Sequence, residues 1–202
     1  QVEIQSGIQF YDGISTAEIQ EILIRSASDL IDLDHANYQY VAARLLLFSL
    51  RKNLYGRIHE LPNLKDHVAK CVWKGIYDSE ILDSYTDEEF DKLQTFIDHD
   101  RDYLFTYAGL RQVVDKYLVQ DRSTNELYET PQFMYLLISA TIFSKYPQEE
   151  RLDYVKKYYD AISKHKINIP TPIMAGVRTP LRQYASCVLV DIDDTLDSIF
   201  SS

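Results

Sequence analysis

Ser186-Cys-Val-Leu-Val-Asp-Ile192 is the stretch on which the fold reading turns. It is a short run of apolar, β-branched residues, the pattern of a buried strand. Ile167-Asn-Ile-Pro-Thr-Pro-Ile-Met174 precedes it, with prolines that no helix interior tolerates. Between the two, Ala175-Gly-Val-Arg-Thr-Pro180 reads as irregular chain. Asp193-Asp194-Thr195-Leu196-Asp197-Ser198 follows, and its cap residues can start a helix. A buried strand needs neighbours, and the sequence offers few others. The rest of its sheet is therefore expected outside these 202 residues, which read as one piece of a longer or split protein.

Upstream, the chain reads as helical. Ser15 and Thr16 can cap a helix whose apolar positions Ile19, Ile22, Leu23, Leu30 and Ile31 recur near the helical period. Asn37 to Tyr55 is a second helix, with Val41, Leu45, Phe48 and Tyr55 as its apolar face and Gly56 as its stop. Leu64 to Trp73 resumes after Pro62-Asn63 and closes at Gly75. Asp87 to His99 begins with the acids that a helix dipole favours and offers Phe90, Leu93, Phe96 and Ile97 for burial. Lys116 to Glu129 has the pattern of a small hairpin over a polar turn. Pro131 opens a long apolar helix, and Pro147 starts another that runs to about His165.

Composition narrows the function classes. A hydrophobic content of 46% supports a packed core. Only 6 glycines argue against an open, Gly-rich α/β nucleotide fold, and many of the 16 tyrosines are expected half-buried with a wet hydroxyl. A net charge of −10 opposes nucleic-acid binding, since phosphate contacts need a basic surface. The 2 cysteines, Cys71 and Cys187, are too sparse for a secreted disulfide framework and point to a reducing, cytoplasmic setting. No signal peptide is expected, and these residues hold no apolar run near the length of a membrane span.

Read singly, the candidate residues stay ambiguous. Cys187 opens an apolar strand pattern and can be a core cysteine or a redox thiol. Cys71, beside Val72 and Trp73 on a helical pattern, reads as core. His35, His59, His67, His99 and His165 show no metal-ligand spacing, so no metal site is expected. Asp98-His99-Asp100-Arg101-Asp102 could be an acid–base cluster, but a salt-bridge network at a helix end explains it more simply. The turn at Pro170-Thr171-Pro172 could hold a phosphate or sugar, and Asp194-Thr195 is a helix cap or a ligand contact.

Taken together, these stretches resemble the large, catalytic subunit of class I ribonucleotide reductases, most closely the bacterial and phage type. Pro170-Thr-Pro-Ile-Met-Ala-Gly-Val-Arg-Thr-Pro180, Arg182-Gln-Tyr-Ala-Ser-Cys-Val-Leu189 and Asp194-Thr-Leu-Asp-Ser-Ile199 look like the family's entry into its catalytic barrel. Ile8-Gln-Phe-Tyr-Asp-Gly13, Tyr38-Gln-Tyr-Val-Ala-Ala-Arg44, Phe96-Ile-Asp-His-Asp-Arg-Asp102 and Lys116-Tyr-Leu-Val119 carry the likeness upstream, in order and with similar spacing.

The resemblance implies a mostly α fold: a partial ATP cone over 1–55, a helical N-terminal domain over 56–168, and over 169–202 the first strand of a ten-stranded α/β barrel. It implies reduction of ribonucleoside diphosphates to 2′-deoxyribonucleoside diphosphates by radical chemistry. Cys187 matches the first cysteine of the reducing dithiol, and Thr171 and Ser186 match substrate-binding positions. Asp194, Thr195 and Leu196 match the start of the specificity site. Thr16 and Lys52 match ATP/dATP contacts of the activity site, although Gln20 and Ser49 stand where the bacterial pattern has histidines. The family's radical cysteine, second dithiol cysteine and tail cysteines have no match here, so no activity is expected from these residues alone. The implied partners are the remainder of the large subunit, a second large subunit in a homodimer, a small subunit carrying the di-iron/tyrosyl radical cofactor, and thioredoxin or glutaredoxin. Nucleoside diphosphates and ATP/dNTP effectors are the implied ligands, and no cofactor is expected on this chain itself. The alternative is a helical nucleotide-sensing or interaction module derived from the reductase without its catalysis.

Overall fold

The computed structural model describes residues 1–56 and 60–201. His59 therefore lies outside the described residues. The helices in chain order are α1 (Val2–Gly7), α2 (Thr16–Ser28), α3 (Tyr38–Tyr55), α4 (Leu64–Trp73), α5 (Glu80–Ser84), α6 (Asp87–Phe96), α7 (Tyr107–Gln112), α8 (Pro131–Phe143), α9 (Gln148–Ser163), α10 (Thr171–Gly176) and α11 (Leu196–Ser201). A 3₁₀ turn at His99–Leu104 precedes α7, and a π-helical turn at Val113–Tyr117 follows it. The one sheet among the described residues is a hairpin, with β1 (Gln120–Asp121) antiparallel to β2 (Glu126–Leu127). The protein is mostly helical, as its sequence pattern requires.

Several starts and stops follow from local chemistry. Ser15 and Glu18 form a reciprocal capping box at α2, and Thr86 and Glu89 do the same at α6. Asn63 caps α4 by accepting from Lys65 N and Asp66 N. Gly56 ends α3 at φ +68°, in the left-handed region that glycine enters without a steric penalty.

The core is organised around α8. Every residue from Pro131 to Ala140 is buried, so this helix is covered on all sides rather than along one stripe. Phe133 anchors a ring cluster, with His67 at 5.0 Å, His99 at 5.4 Å and Tyr55 at 6.4 Å. Gln132, fully buried on the same helix, donates to Asp102 at 2.9 Å and accepts from Tyr159 at 2.7 Å. A buried amide is tolerated there because both of its ends are paired.

The structure corrects four expectations. The buried face of α3 is Ala42, Ala43, Leu46, Leu47 and Leu50, while Val41 and Phe48 are 40% and 36% exposed. The helix packs against α2 and α7, and the adjacent Ala42 and Ala43 lie on its buried side. The tyrosine expectation holds in part: Tyr38, Tyr117, Tyr128 and Tyr158 are half-buried, whereas Tyr77, Tyr85 and Tyr159 are buried with protein partners for their hydroxyls, Glu129 at 2.7 Å, Ala140 O at 2.7 Å and Gln132 at 2.7 Å. Thr171–Gly176 is a helix despite its prolines, because Pro170 is the N-cap and Pro172 lies in the first turn, where no amide donor is needed.

The fourth correction concerns the expected strand. Residues 186–192 are irregular and exposed, with Leu189 100% and Val188 74% accessible. A strand exists only through hydrogen bonds to a neighbour, and among the described residues no such neighbour is present.

Candidate functional site

Arg178 is the residue that joins the Pro170–Pro180 segment to the helical body. It is 2% exposed and its partner Glu129 is 0% exposed. The guanidinium donates through Nε to both carboxylate oxygens, at 3.0 and 2.8 Å, and a second nitrogen also pairs with Glu129. It also donates to Met174 O in α10 at 2.5 Å and to Tyr117 O at 3.0 Å. Glu129 in turn accepts from Tyr77 Oη at 2.7 Å and Val119 N at 2.8 Å. A buried ion pair with this many charge-assisted bonds holds three elements in a single arrangement. Arg178 carries no role among the residues that the resemblance singles out. An arginine set in an otherwise apolar stretch was the available signal.

Thr171 opens α10 and is half-buried, with Oγ1 3.3 Å from Tyr117 Oη. A hollow of about 580 Å³ is lined in part by its partner Tyr117 and by Gln112, Lys166, Asn168, Ile169 and Met174, without Thr171 itself. That is the size range of small-ligand pockets.

Beyond Pro180 the chain leaves the body. Arg182 holds the departure point through Asp78 at 2.7 Å and Glu80 at 2.6 Å. Ser186 and Cys187 are both exposed, with Ser186 Oγ 3.7 Å from Cys187 Sγ. Thr195 caps α11 by accepting from Ser198 N at 3.2 Å, and Ser198 Oγ accepts from Asp193 N at 2.9 Å. Asp194 and Leu196 beside this cap are exposed. The structure thus gives Thr171 a formed environment and leaves Ser186, Cys187, Asp194, Thr195 and Leu196 on an open segment.

Thr16 and Lys52 are exposed on α2 and α3. Gln20 Nε2 donates to Leu45 O at 3.0 Å. That bond sets the register of the helix pair and puts Thr16 and Lys52 at the same end of it. Gln20 therefore has a packing role where the bacterial pattern has histidine.

The remaining candidates are structural. Cys71 is 3% exposed, its Sγ is 3.8 Å from His67 Nε2, and burial pushes its thiol up to about 11. A thiol held protonated in this way is a poor nucleophile. In the Asp98–Asp102 run, Arg101 pairs with Asp98 at 3.1 Å and Asp160 at 2.7 Å, and Asp102 pairs with Arg51 at 2.9 Å. Burial raises Asp102 to about 6 against the opposing pull of Gln132 and Arg51. This is the salt-bridge network read from the sequence. Among the described residues, no group of three or more His, Cys, Asp or Glu side chains is arranged to hold a metal ion, and no helix is long and apolar enough to cross a membrane.

The profile of the ribonucleotide reductase all-alpha domain matches residues 103–182. Over 98% of its length the chain is 57% identical to ribonucleoside-diphosphate reductase 1 subunit alpha of Escherichia coli and 58% identical to the alpha subunit of Haemophilus influenzae. It is 45% identical to the alpha subunit of Enterobacteria phage T4 over the same share. This chain is therefore related, over nearly its whole length, to class I ribonucleotide reductase large subunits and corresponds to their N-terminal portion. It spans about a quarter (26%) of the length of these relatives.

Proposed function

We propose that this chain contributes the front part of a ribonucleoside-diphosphate reductase large subunit and acts only with the rest of such a subunit. Residues 1–55 serve as a partial ATP cone, 56–168 as the helical N-terminal domain, and 169–202 as the entry into the catalytic barrel. The observation that carries this reading is the identity of 57% over 98% of the chain. The exposed thiol of Cys187, next to a segment anchored through Arg178 and Arg182, is consistent with it.

In this reading Cys187 is one thiol of a reducing pair, and the second comes from the remaining length of the subunit. The two thiols become a disulfide as the ribose 2′-hydroxyl leaves as water, so two electrons pass from sulfur to the nucleotide. Exchange with thioredoxin or glutaredoxin resets the pair. Thr171 and Ser186 contact the substrate, Asp194, Thr195 and Leu196 begin the specificity site, and Thr16 and Lys52 contact ATP or dATP. A small subunit supplies the di-iron/tyrosyl radical cofactor, and a second large subunit completes a dimer. Residues 186–192 become a strand once neighbouring strands pair with them.

The test is reconstitution. Combined with a polypeptide that supplies the remaining length of the relatives and with a small subunit, the chain should support CDP reduction. Cys187→Ser should abolish turnover with the dithiol reductant. Wild-type turnover by that variant would refute the role given to Cys187.

A further inference from the structure

Tyr135 of α8 lines the 580 Å³ hollow with a polar group that the protein leaves unpaired. The residue is 5% exposed, yet its hydroxyl has no hydrogen-bond partner among the described residues. The other buried tyrosines, Tyr77, Tyr85 and Tyr159, all have one. Burial raises the Tyr135 hydroxyl above its ordinary range, so it stays protonated and can donate. A buried hydroxyl costs free energy unless something in the hollow meets it.

The rest of the lining narrows what that can be. Phe105 and His165 bring their rings to 4.6 Å between centroids, and Ile162 and Met174 add apolar wall. No Asp or Glu lines the hollow, although the chain carries 31 acids. Lys166 does line it and has no carboxylate partner among the described residues. Burial lowers His165 below its ordinary value, so at neutral pH the lysine supplies the charge. One ammonium matches a carboxylate better than a phosphate, which carries about −1.5 to −2 charges. Neither Thr171 nor Cys187, and none of the effector positions named above, lines this hollow.

We propose that the hollow binds a small aromatic carboxylate that bears a polar ring substituent. The ring packs against Phe105 and His165, the carboxylate pairs with Lys166, and the substituent accepts a hydrogen bond from Tyr135. This site is independent of the substrate and effector roles proposed above.

The probe is 6-hydroxy-2-naphthoate, compared with 2-naphthoate, which lacks the hydroxyl, and 2-naphthol, which lacks the carboxylate. Equilibrium dialysis against the full chain should show saturable binding of 6-hydroxy-2-naphthoate below about 1 mM. Tyr135→Phe keeps the ring and removes the donor. It should weaken this probe about 3–10-fold and leave 2-naphthoate within about twofold. Lys166 is exposed, so Lys166→Met should fold. It should weaken both naphthoates about 2–5-fold and leave 2-naphthol unchanged. A merely structural role for either residue would move all three probes together. A polypeptide that supplies the remaining length of the subunit should leave binding unchanged.

The proposal is overturned if 6-hydroxy-2-naphthoate does not saturate, or if either variant shifts all three probes alike or none of them. Displacement of the probe by the added polypeptide also overturns it, because the hollow is then an internal interface of the subunit.

Discussion

Arg178 and Leu189 are close in sequence and opposite in fate. Up to Thr179 the chain is locked into the helical body, and from Pro180 to Ser201 nearly every side chain is exposed. Intrinsic apolarity does not explain the difference. Val188-Leu-Val190 is more apolar than Pro170-Thr-Pro172, yet the proline-bearing segment is the ordered helix. What separates them is partners. Met174 O and Tyr117 O both bind Arg178, and Glu129 holds Arg178 in turn, whereas residues 188–190 have no neighbouring strand among the described residues. The two cysteines divide in the same way, with Cys71 in the core and Cys187 on the open segment.

The strongest way to break this contrast is to remove the clamp. Arg178→Ala leaves Glu129 buried and unpaired, so the chain should lose about 3–5 kcal/mol of stability in urea unfolding. A loss below about 1 kcal/mol would mean that the ion pair does not hold the segment to the body.

A second comparison uses the thiols. Iodoacetamide should label Cys187 in the folded chain at least about 100-fold faster than Cys71, because Cys71 reacts only after local opening of the core. In denaturant the two rates should converge. Comparable labelling of both under native conditions, read by peptide mass spectrometry, would contradict the buried placement of Cys71.

The smallest effect is expected on the open segment. Leu189→Ala should change the stability of this chain by less than about 0.5 kcal/mol, because its side chain makes no buried contact to lose. If that substitution becomes costly once the remaining length of the subunit is supplied, the segment gains its neighbours in the assembled protein.

Much of this could be read directly from the residues. Helix ends were legible where they depend on local chemistry, as at Ser15, after the Pro62-Asn63 break, at Gly56 and near Thr195. The Asp98–Asp102 run was legible as a salt-bridge network in its local part, Arg101 with Asp98, while its partners Asp160 and Arg51 come only from the fold. The rotation of α3 was not. Val41 and Phe48 are larger and more apolar than Ala42 and Ala43, but the side of α3 that the fold buries is the one with the alanines. The expected proline break at 170–172 failed for another reason, since a proline's effect depends on whether it falls in the first turn.

At the candidate site the same division holds. The residue types at Thr171, Ser186 and Cys187 were conspicuous in the sequence, but the groups that position them were not. Tyr117 lies far from Thr171 along the chain, and Glu129 lies far from Arg178. No periodicity connects such pairs.

The sequence by itself determined that the protein is mostly helical, where its longer helices start, that Cys71 belongs to the core, and which family it resembles. Those depend on local propensity, capping and residue identity, all of which are properties of neighbouring residues. Only the tertiary structure decided that α8 is covered on every side, that Arg178 and Glu129 bind the Thr171 segment, and that Ser186–Ile192 is not a strand in this chain. Burial, ion pairing and strand formation all need a second partner, and only the fold supplies or withholds one.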